Sequence, residues 1–318
     1  VRSRVRFALT GTPVENRLGE LWSLFSFLMP GYLPPYKSFC SRFEKPIVQE
    51  EDQTAVRRLN QLTGPFILRR MKADVLKELP PKTENVYRIE LEEEQRKLYL
   101  AAVVDAREKL QAAKPEDKMA VFAVLMRLRE ICCDPRLIAD NWEGGSAKLD
   151  ACAELVSSAV AGGHRILLFS QFTSMLELLA KRLDAEGISH FTLQGSTPKP
   201  VRAELVRRFN GGEVSVFLIS LRAGGTGLNL TAADIVIHYD PWWNVAAQNQ
   251  ATDRAYRIGQ QNPVQVYKLI AQDTIEEKIV ELQQAKQSLA DTVTGTADGA
   301  ILSMRPDELL QLLEGSEP

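Results

Sequence analysis

One segment of the chain combines basic and amide side chains at a spacing suited to binding a polyanion. Gln250, Arg254 and Arg257 are separated by four and three residues, so on a helix all three would project from one face. Two guanidinium groups beside an amide can grip a polyanion and neutralise it. Such an arginine pair can also stabilise the charge that develops on a phosphoryl group during its transfer. The alternative is a solvated basic helix with ordinary ion pairs.

The elements around this segment alternate regularly between helix and strand. Hydrophobic periodicity predicts helices over residues 147–161, 173–187, 199–210, 245–257 and 274–288, and strands over 165–169, 189–193, 214–219, 234–238 and 264–270. Several of these strands are almost entirely apolar, as strands buried on both faces are. The pattern therefore predicts a parallel sheet between helix layers, with its site at the carboxyl ends of the strands.

Four loops follow the ends of these predicted strands. They are Ser170–Phe172, Gln194–Thr197, Ser220–Asn229 and Tyr239–Asn244. The first three are rich in small and hydroxyl residues, which allow backbone N–H groups and helix N-termini to approach phosphate closely. Phosphate contacts of this kind position a nucleic acid without reading its sequence. Ordinary turn chemistry explains any one such loop, but three of them on one sheet edge favour phosphate binding.

Basic and aromatic residues near these loops carry two interpretations each. Arg202 lies near the start of the helix predicted over 199–210, where it can touch a backbone phosphate. The other basic residues of that helix suit a solvated face. Trp242 and Trp243 are either core anchors or, beside the arginines, stacking or coupling residues.

The pattern before residue 147 is less regular. Residues 1–10 are predicted to form a buried strand that opens mid-pattern, so the chain is expected to be a fragment of a longer protein. The other predicted elements are helices within 14–80, a strand at 86–91, helices at 92–113 and 117–133, and a loop at 141–146. A short amphipathic helix at Pro306–Leu313 is expected to dock on the main body.

Composition excludes several classes of protein and site. The 318 residues, 45% hydrophobic and 25% charged, suit about two globular domains. A net charge of −2 gives no global basic signature, so any nucleic-acid surface must be a local patch. The four cysteines form no C-x-x-C pair, and the three histidines lack ligand spacing, so no metal site is predicted. The sequence contains no run of about 18 apolar residues, so no membrane span is predicted and no membrane partner is expected.

Four stretches of the chain resemble motifs of superfamily-two helicases. Leu9–Pro13 is similar to motif III and Leu167–Phe172 to motif IV, while Ser220–Asn229, continuing to Asp240, resembles motif V. Gln250–Gln260 resembles motif VI in the form Gln-x-x-Asp-Arg-x-x-Arg-x-Gly-Gln, which is typical of Swi/Snf-type ATPases that translocate on double-stranded DNA. The resemblance covers nearly the whole chain.

This resemblance implies a two-lobed RecA-like motor, with ATP and Mg²⁺ in the cleft between the lobes and double-stranded DNA across both. The fold class implied for this chain is α/β: RecA-like lobe two, a parallel sheet flanked by helices, with helical insertions. The implied domains are the end of lobe one at 1–13, its helical insertion at 14–84, the strand and helical insertion of lobe two at 85–140, lobe two at 141–288 and a docking tail at 289–318.

The resemblance also assigns roles to single residues. Arg254 and Arg257 would be arginine fingers, and Gln250 would act with them in catalysis by orienting them. The residues implied to couple nucleotide state to DNA are Thr10, Gly11, Thr12, Asp253, Gly227, Asn229 and Trp242. Those implied to face the DNA backbone are Ser170, Gln171, Gln194, Gly195, Ser196, Thr197, Arg202, Arg222, Gly224, Gly225 and Thr226.

The chain departs from the family pattern in one respect. It has no G-x-x-x-x-G-K-[ST] loop and no D-E-x-H box, which belong to lobe one and would hold most of the ATP and Mg²⁺. The chain alone is therefore not expected to hydrolyse ATP, whereas a parent with lobe one in cis is. That parent would be a remodeller of protein–DNA complexes, in the cytoplasm and nucleoid of a prokaryote or the nucleus of a eukaryote. The alternative is a catalytically inactive module that binds DNA or a protein.

Overall fold

The computed structural model describes residues 3–9, 18–50, 52–68, 79–114, 117–139, 141–224, 227–290 and 306–314. The backbone divides into two compact units. The smaller comprises Val1–Lys77 with Gln283–Ala300, and the larger comprises Glu78–Leu282 with Ile301–Pro318. Each unit has a hydrophobic core of its own.

The smaller unit is helical, as predicted for residues 14–80. Its described helices are α1 (Leu18–Leu28), α2 (Tyr36–Phe39), α3 (Lys45–Gln49) and α4 (Gln53–Thr63), with a π-helical turn at Cys40–Glu44 between α2 and α3. The apolar face of α1 packs against Phe39, Phe43 and Leu59. Trp22 lies at the edge of this core, where its Nε1 donates to the carbonyl of Pro34 at 2.8 Å.

The buried strand predicted for residues 1–10 is wrong over residues 3–9. This segment is irregular, and Val5, Phe7 and Leu9 are 65%, 84% and 100% exposed. A parallel strand takes its hydrogen bonds from neighbouring strands, and no described strand pairs with this segment. The apolar pattern is therefore present without the sheet that would bury it.

The larger unit is built on a six-stranded sheet. Its strands are β1 (Lys82–Ile89), β2 (Ile166–Ser170), β3 (His190–Leu193), β4 (Val216–Ser220), β5 (Ile235–His238) and β6 (Val264–Ala271). They lie in the order β1-β6-β5-β2-β4-β3, and every neighbouring pair is parallel. This confirms the predicted α/β fold with a parallel sheet. It also shows that β1, the strand predicted at 86–91, is an edge strand of the main sheet.

Helices cover both faces of this sheet. The described helices of the larger unit are α5 (Glu93–Ala112), α6 (Lys118–Cys133), α7 (Ala147–Ala161), α8 (Thr173–Ala185), α9 (Lys199–Asn210), α10 (Leu221–Gly224), α11 (Val245–Thr252), α12 (Ile275–Ala290) and α13 (Pro306–Glu314). Alternate residues of β2 face opposite layers: Ile166 and Leu168 pack with α7 and α8, and Leu167 and Phe169 pack with α9 to α11. None of the described helices has both the length and the apolar character of a membrane span.

A third cluster lies beside the sheet. It joins α5, α6 and α13 to the start of α12, and it includes Trp243. Leu309 and Leu313 of α13 are wholly buried in it, and Nη2 of Arg107 on α5 donates to the carbonyl of Leu313 at 2.8 Å. The short tail helix thus packs on the larger unit.

Candidate functional site

The parallel sheet brings the predicted loops to one edge. Ser170 at the end of β2 stands in register with Ser220 at the end of β4, and Phe169 stands beside His238 at the end of β5. Leu193 at the end of β3 pairs with Ile219. Because all these strands run in the same direction, the four loops that follow them leave from the same edge, as the sequence predicts.

The loop after β4 begins with a single helical turn, α10. Gly224, at its end, is buried, and a Cβ added there would lie 2.9 Å from the ring of Phe169, so this close approach requires glycine. Gly227 has φ +37°, and Gly227 and Asn229 are exposed. Arg222 is exposed on α10. Gly225 and Thr226, which the family resemblance assigns to DNA contact, lie outside the described residues, as do Thr10, Gly11 and Thr12.

The helix predicted over 245–257 ends at Thr252, so Arg254 and Arg257 do not share a helix face with Gln250. In a continuing helix the carbonyls of Arg254 and Ala255 would accept from the N–H groups four residues on. Instead Leu230 N donates to Arg254 O at 3.0 Å, and the side chain of Gln260 donates to Ala255 O at 3.2 Å. The two carbonyl oxygens that a continuing helix would use therefore accept hydrogen bonds from Leu230 and Gln260 instead.

Both arginines reach back to the loop after β4. Nε of Arg254 donates to Gly224 O at 2.8 Å, and Nη1 of Arg257 lies 3.3 Å from Leu228 O, which accepts its hydrogen bond. Both side chains are half-buried. Burial lowers the pKa of Arg254, and the positive charge of Arg257 lowers it further. Two guanidinium groups are thus held close together at the sheet edge.

Gln250 and Asp253 lie at the end of α11, where both are half-buried next to the arginine segment. Gln260, to which the sequence assigns no role, stabilises the segment that carries Arg254 and Arg257 through hydrogen bonds of its side chain. Its Nε2 donates to Ala233 O at 2.7 Å, and its Oε1 accepts from the N–H groups of Gln261 and Asn262 at 2.9 Å. Its position at the end of the motif was the only signal available.

Two domain families match the chain. Residues 1–137 match the SNF2-related domain, and residues 147–259 match the helicase conserved C-terminal domain. The chain belongs to the SWI/SNF family. It is 39% identical, over 99% of its length, to an uncharacterized ATP-dependent helicase of Mycoplasma genitalium, of which it covers 30%.

A human protein and a solved structure are also similar to this chain. Human SWI/SNF-related matrix-associated actin-dependent regulator of chromatin subfamily A member 1 is 37% identical over 98% of the chain, which covers 31% of that protein. The Sulfolobus solfataricus SWI2/SNF2 ATPase core, solved in complex with dsDNA, superposes with a TM-score of 0.63 at 34% identity, covering 95% of this chain and 65% of that one. The chain spans about a third of the length of the Mycoplasma and human proteins.

The loop after β3 of this SWI/SNF chain is organised by Arg202. Nε of Arg202 donates to Thr197 O at 2.8 Å, and Nη2 donates to Gly195 O at 2.8 Å and Gln194 O at 3.2 Å. The hydroxyl of Thr197 accepts from Gln194 N at 3.0 Å. Arg202, which sequence analysis assigned to phosphate, thus shapes the loop through its carbonyls. Gly195 and Ser196 remain exposed at the loop tip.

Asp240 joins the loops after β2 and β5. Its Oδ1 accepts from the hydroxyl of Ser170 at 2.6 Å and from Gln171 N at 3.2 Å. Ser170 is therefore buried with its hydroxyl turned inward, and it positions the loop from within. Burial raises the pKa of Asp240, although Arg129 and Ser170 act in the opposite direction. No motif or spacing in the sequence points to Arg129, which lies among the core residues of α6.

The two tryptophans differ in burial. Trp243 is buried in the cluster with α5 and α6, as a core anchor is. Trp242 is half-buried and stacks on Trp243, with ring centres 4.7 Å apart. Trp242 therefore has the position expected of a residue at the border between core and site.

The described residues contain no group of three or more histidine, cysteine or carboxylate side chains suited to a metal ion. His164 bonds Asp234 at 2.8 Å, and His238 bonds the hydroxyl of Thr252 at 2.8 Å. Both histidines are thus held in side-chain hydrogen bonds within the sheet region.

Proposed function

We propose that this chain supplies the second RecA-like lobe of an ATP-dependent double-stranded-DNA translocase that remodels protein–DNA complexes. The observation that carries the proposal is the pair Arg254 and Arg257, anchored to the loop after β4 at the carboxyl edge of the sheet. Ligands of parallel α/β sheets bind at this edge.

The arginine pair suits the phosphates of ATP. Burial and the charge of Arg257 lower the pKa of Arg254, so both effects disfavour its charged form. An anion bound between the two guanidinium groups would stabilise both charges. In this proposal the pair stabilises charge on the transferring phosphoryl group. Gln250 and Asp253, at the end of α11, orient the arginines, and the loop from Gly227 to Asn229 relays the nucleotide state to DNA.

DNA lies along the same edge in this proposal. Gly195, Ser196 and Arg222 are exposed on the loops after β3 and β4, where backbone N–H groups and a guanidinium group can meet phosphates of a duplex. The solved SWI2/SNF2 ATPase core with dsDNA supports this choice of polymer. The contacts are to phosphate, so they carry no sequence preference.

The cofactors are ATP and Mg²⁺, and the partner in cis is lobe one. The chain has no G-x-x-x-x-G-K-[ST] sequence, and its described residues offer no carboxylate cluster for a metal. We therefore place Mg²⁺ and most of the ATP contacts in lobe one, and expect no hydrolysis by this chain alone. The cell compartment follows from the source: the nucleoid in a prokaryote, the nucleus in a eukaryote.

The test is ATP hydrolysis by the full-length protein that carries this chain, with and without duplex DNA. Arg254→Ala and Arg257→Ala should each lower duplex-stimulated hydrolysis by at least about 100-fold. Arg182→Ala is the control, because Arg182 is a half-buried arginine of α8 paired with Asp150 and Glu186, away from the loops at the sheet edge. Hydrolysis that survives both arginine substitutions contradicts the proposal. Duplex binding without any hydrolysis by the unsubstituted protein would favour a catalytically inactive binding module.

A further inference from the structure

We infer that Arg129 of α6 is a positioning residue that locks the loop Asp240–Asn244 to the loop Ser170–Phe172. Helix α6 thereby sets the geometry of the edge assigned to DNA and nucleotide. This inference rests on the proposed function for its consequence in catalysis, but its structural part can be tested separately.

Arg129 reaches the junction of the two loops from outside the sheet. It is wholly buried, its Nη2 donates to Pro241 O at 2.6 Å, and the same nitrogen lies 3.4 Å from Oδ2 of Asp240. Oδ1 of Asp240 accepts from the Ser170 hydroxyl, and the Gln171 N–H lies 3.2 Å from Oδ1 and 3.3 Å from Oδ2. One carboxylate is therefore shared between the guanidinium group and the loop after β2, so a shift of Arg129 reaches both loops.

Aromatic rings from both loops surround the guanidinium group. Its central carbon lies 4.5 Å from the ring centre of Trp243, 5.8 Å from that of Trp242, and 5.5 Å from that of Phe172. The tryptophans belong to the loop after β5, and Phe172 follows β2. A planar guanidinium group can stack on several rings while donating in its own plane, which an ammonium group cannot do.

A residue that served only packing would not need this chemistry. Nε and Nη1 of Arg129 have no hydrogen-bond partner among the described residues, although both are buried. Buried ion pairs are often replaced by apolar side chains without loss of stability. The arginine is therefore better explained by what its charge and fork hold in place, namely Asp240, Pro241 and the paired tryptophans.

The experiment uses two substitutions in the full-length protein. Arg129→Met keeps the length and apolar stem of the side chain, and Arg129→Lys keeps the charge but loses the planar fork. The matched control is Gln95→Met, because Gln95 is also buried and holds the same helix through Ile131 O at 2.8 Å, away from both loops.

Hydrogen–deuterium exchange tests the structural part without any need for catalysis. In both Arg129 variants we expect exchange at the Gln171 and Phe172 amides and at the amides of residues 242–246 to rise at least tenfold. In Gln95→Met we expect these amides to exchange as in the unsubstituted protein. Unchanged exchange in Arg129→Met would overturn the inference, as would an equal rise in the control.

ATP hydrolysis tests the consequence. The ratio of duplex-stimulated to basal hydrolysis should fall about tenfold in both Arg129 variants, including the charge-conserving Lys, at temperatures where circular dichroism shows them folded. An unaltered ratio in both variants contradicts the positioning role. If the unsubstituted protein shows no duplex-stimulated hydrolysis, the proposed function fails, and the exchange result still decides whether Arg129 locks the two loops.

Discussion

His238 keeps its ring inside the larger unit, at the end of β5. The ring is wholly buried, stacks on Phe169 with centres 5.7 Å apart, and bonds Thr252. Burial lowers the pKa of His238 to about 3, with the charges of Lys268 and Lys82 acting in the same direction and Glu84 acting against them. The imidazole is therefore neutral in the folded protein at any pH near neutrality.

This burial predicts a stability that depends on pH. The folded pKa of His238 lies below its ordinary value of 6.5, so its contribution is complete above pH 6.5 and is lost as pH falls toward 3. Between pH 7 and pH 5 the unsubstituted protein should lose up to about 2 kcal/mol of unfolding free energy that His238→Gln does not lose. Urea unfolding followed by circular dichroism measures both. Equal losses in the two proteins would show that His238 takes up its proton without unfolding.

The sequence alone indicates the arginine pair but not the buried pair Arg129 and Asp240. Arg254 and Arg257 belong to a spaced motif, so their types and positions are visible in the sequence. Arg129 sits among the apolar residues of α6, and its partner Asp240 is brought to it only by the fold. A buried charge and its distant partner leave no periodic signal, which is why this network could not be predicted.

The end of α11 shows how tertiary contacts override local preference. Residues 253–257 have the composition of a helix, and the sequence predicted one. Leu230 and Gln260 occupy the carbonyls that such a helix would use, and the chain turns so that both arginines meet the loop after β4. The helical geometry predicted for Arg254 and Arg257 is therefore wrong, whereas the roles assigned to them stay a prediction.

Helix α13 should matter for stability although it is short. Leu309 is wholly buried against α5 and α6, so Leu309→Ala should lower the free energy of unfolding by about 2–5 kcal/mol through lost transfer energy and a residual cavity. Gln311→Ala, at an exposed position of the same helix, should change it by less than about 0.5 kcal/mol. The urea midpoint measures both, and equal midpoints would mean that the helix undocks at no cost.

The parallel sheet was predictable because its central strands are continuous apolar runs. β2, β4 and β5 are buried at every position, and this pattern is typical of strands between helix layers. The two strand predictions outside this alternating region had other outcomes: residues 3–9 form no strand, and β1 joins the main sheet at its edge. Edge placement depends on distant partners, which periodicity does not report.

Because the net charge of the chain is near zero, its binding to DNA is expected to depend on a local basic surface. With a net charge of −2, salt dependence of duplex binding should come from a few exposed cations, and Arg222→Ala should reduce the slope of log affinity against log salt by about 1. Arg182→Ala should leave the slope unchanged, because its guanidinium group is already paired. Fluorescence anisotropy with a labelled duplex at several salt concentrations measures the slopes, and equal slopes for Arg222→Ala and the unsubstituted protein would remove Arg222 from the DNA surface.

The pairing of β1 with β6 has a consequence for synthesis on the ribosome. Lys82 stands in register with Val264, so the first strand of the sheet must wait until the last one has been translated before it gains its neighbour. Contacts between segments so far apart in the chain form late and slowly. During elongation β1 therefore leaves the exit tunnel as an unpaired segment, and the sheet of the larger unit is completed only after β6 has also emerged.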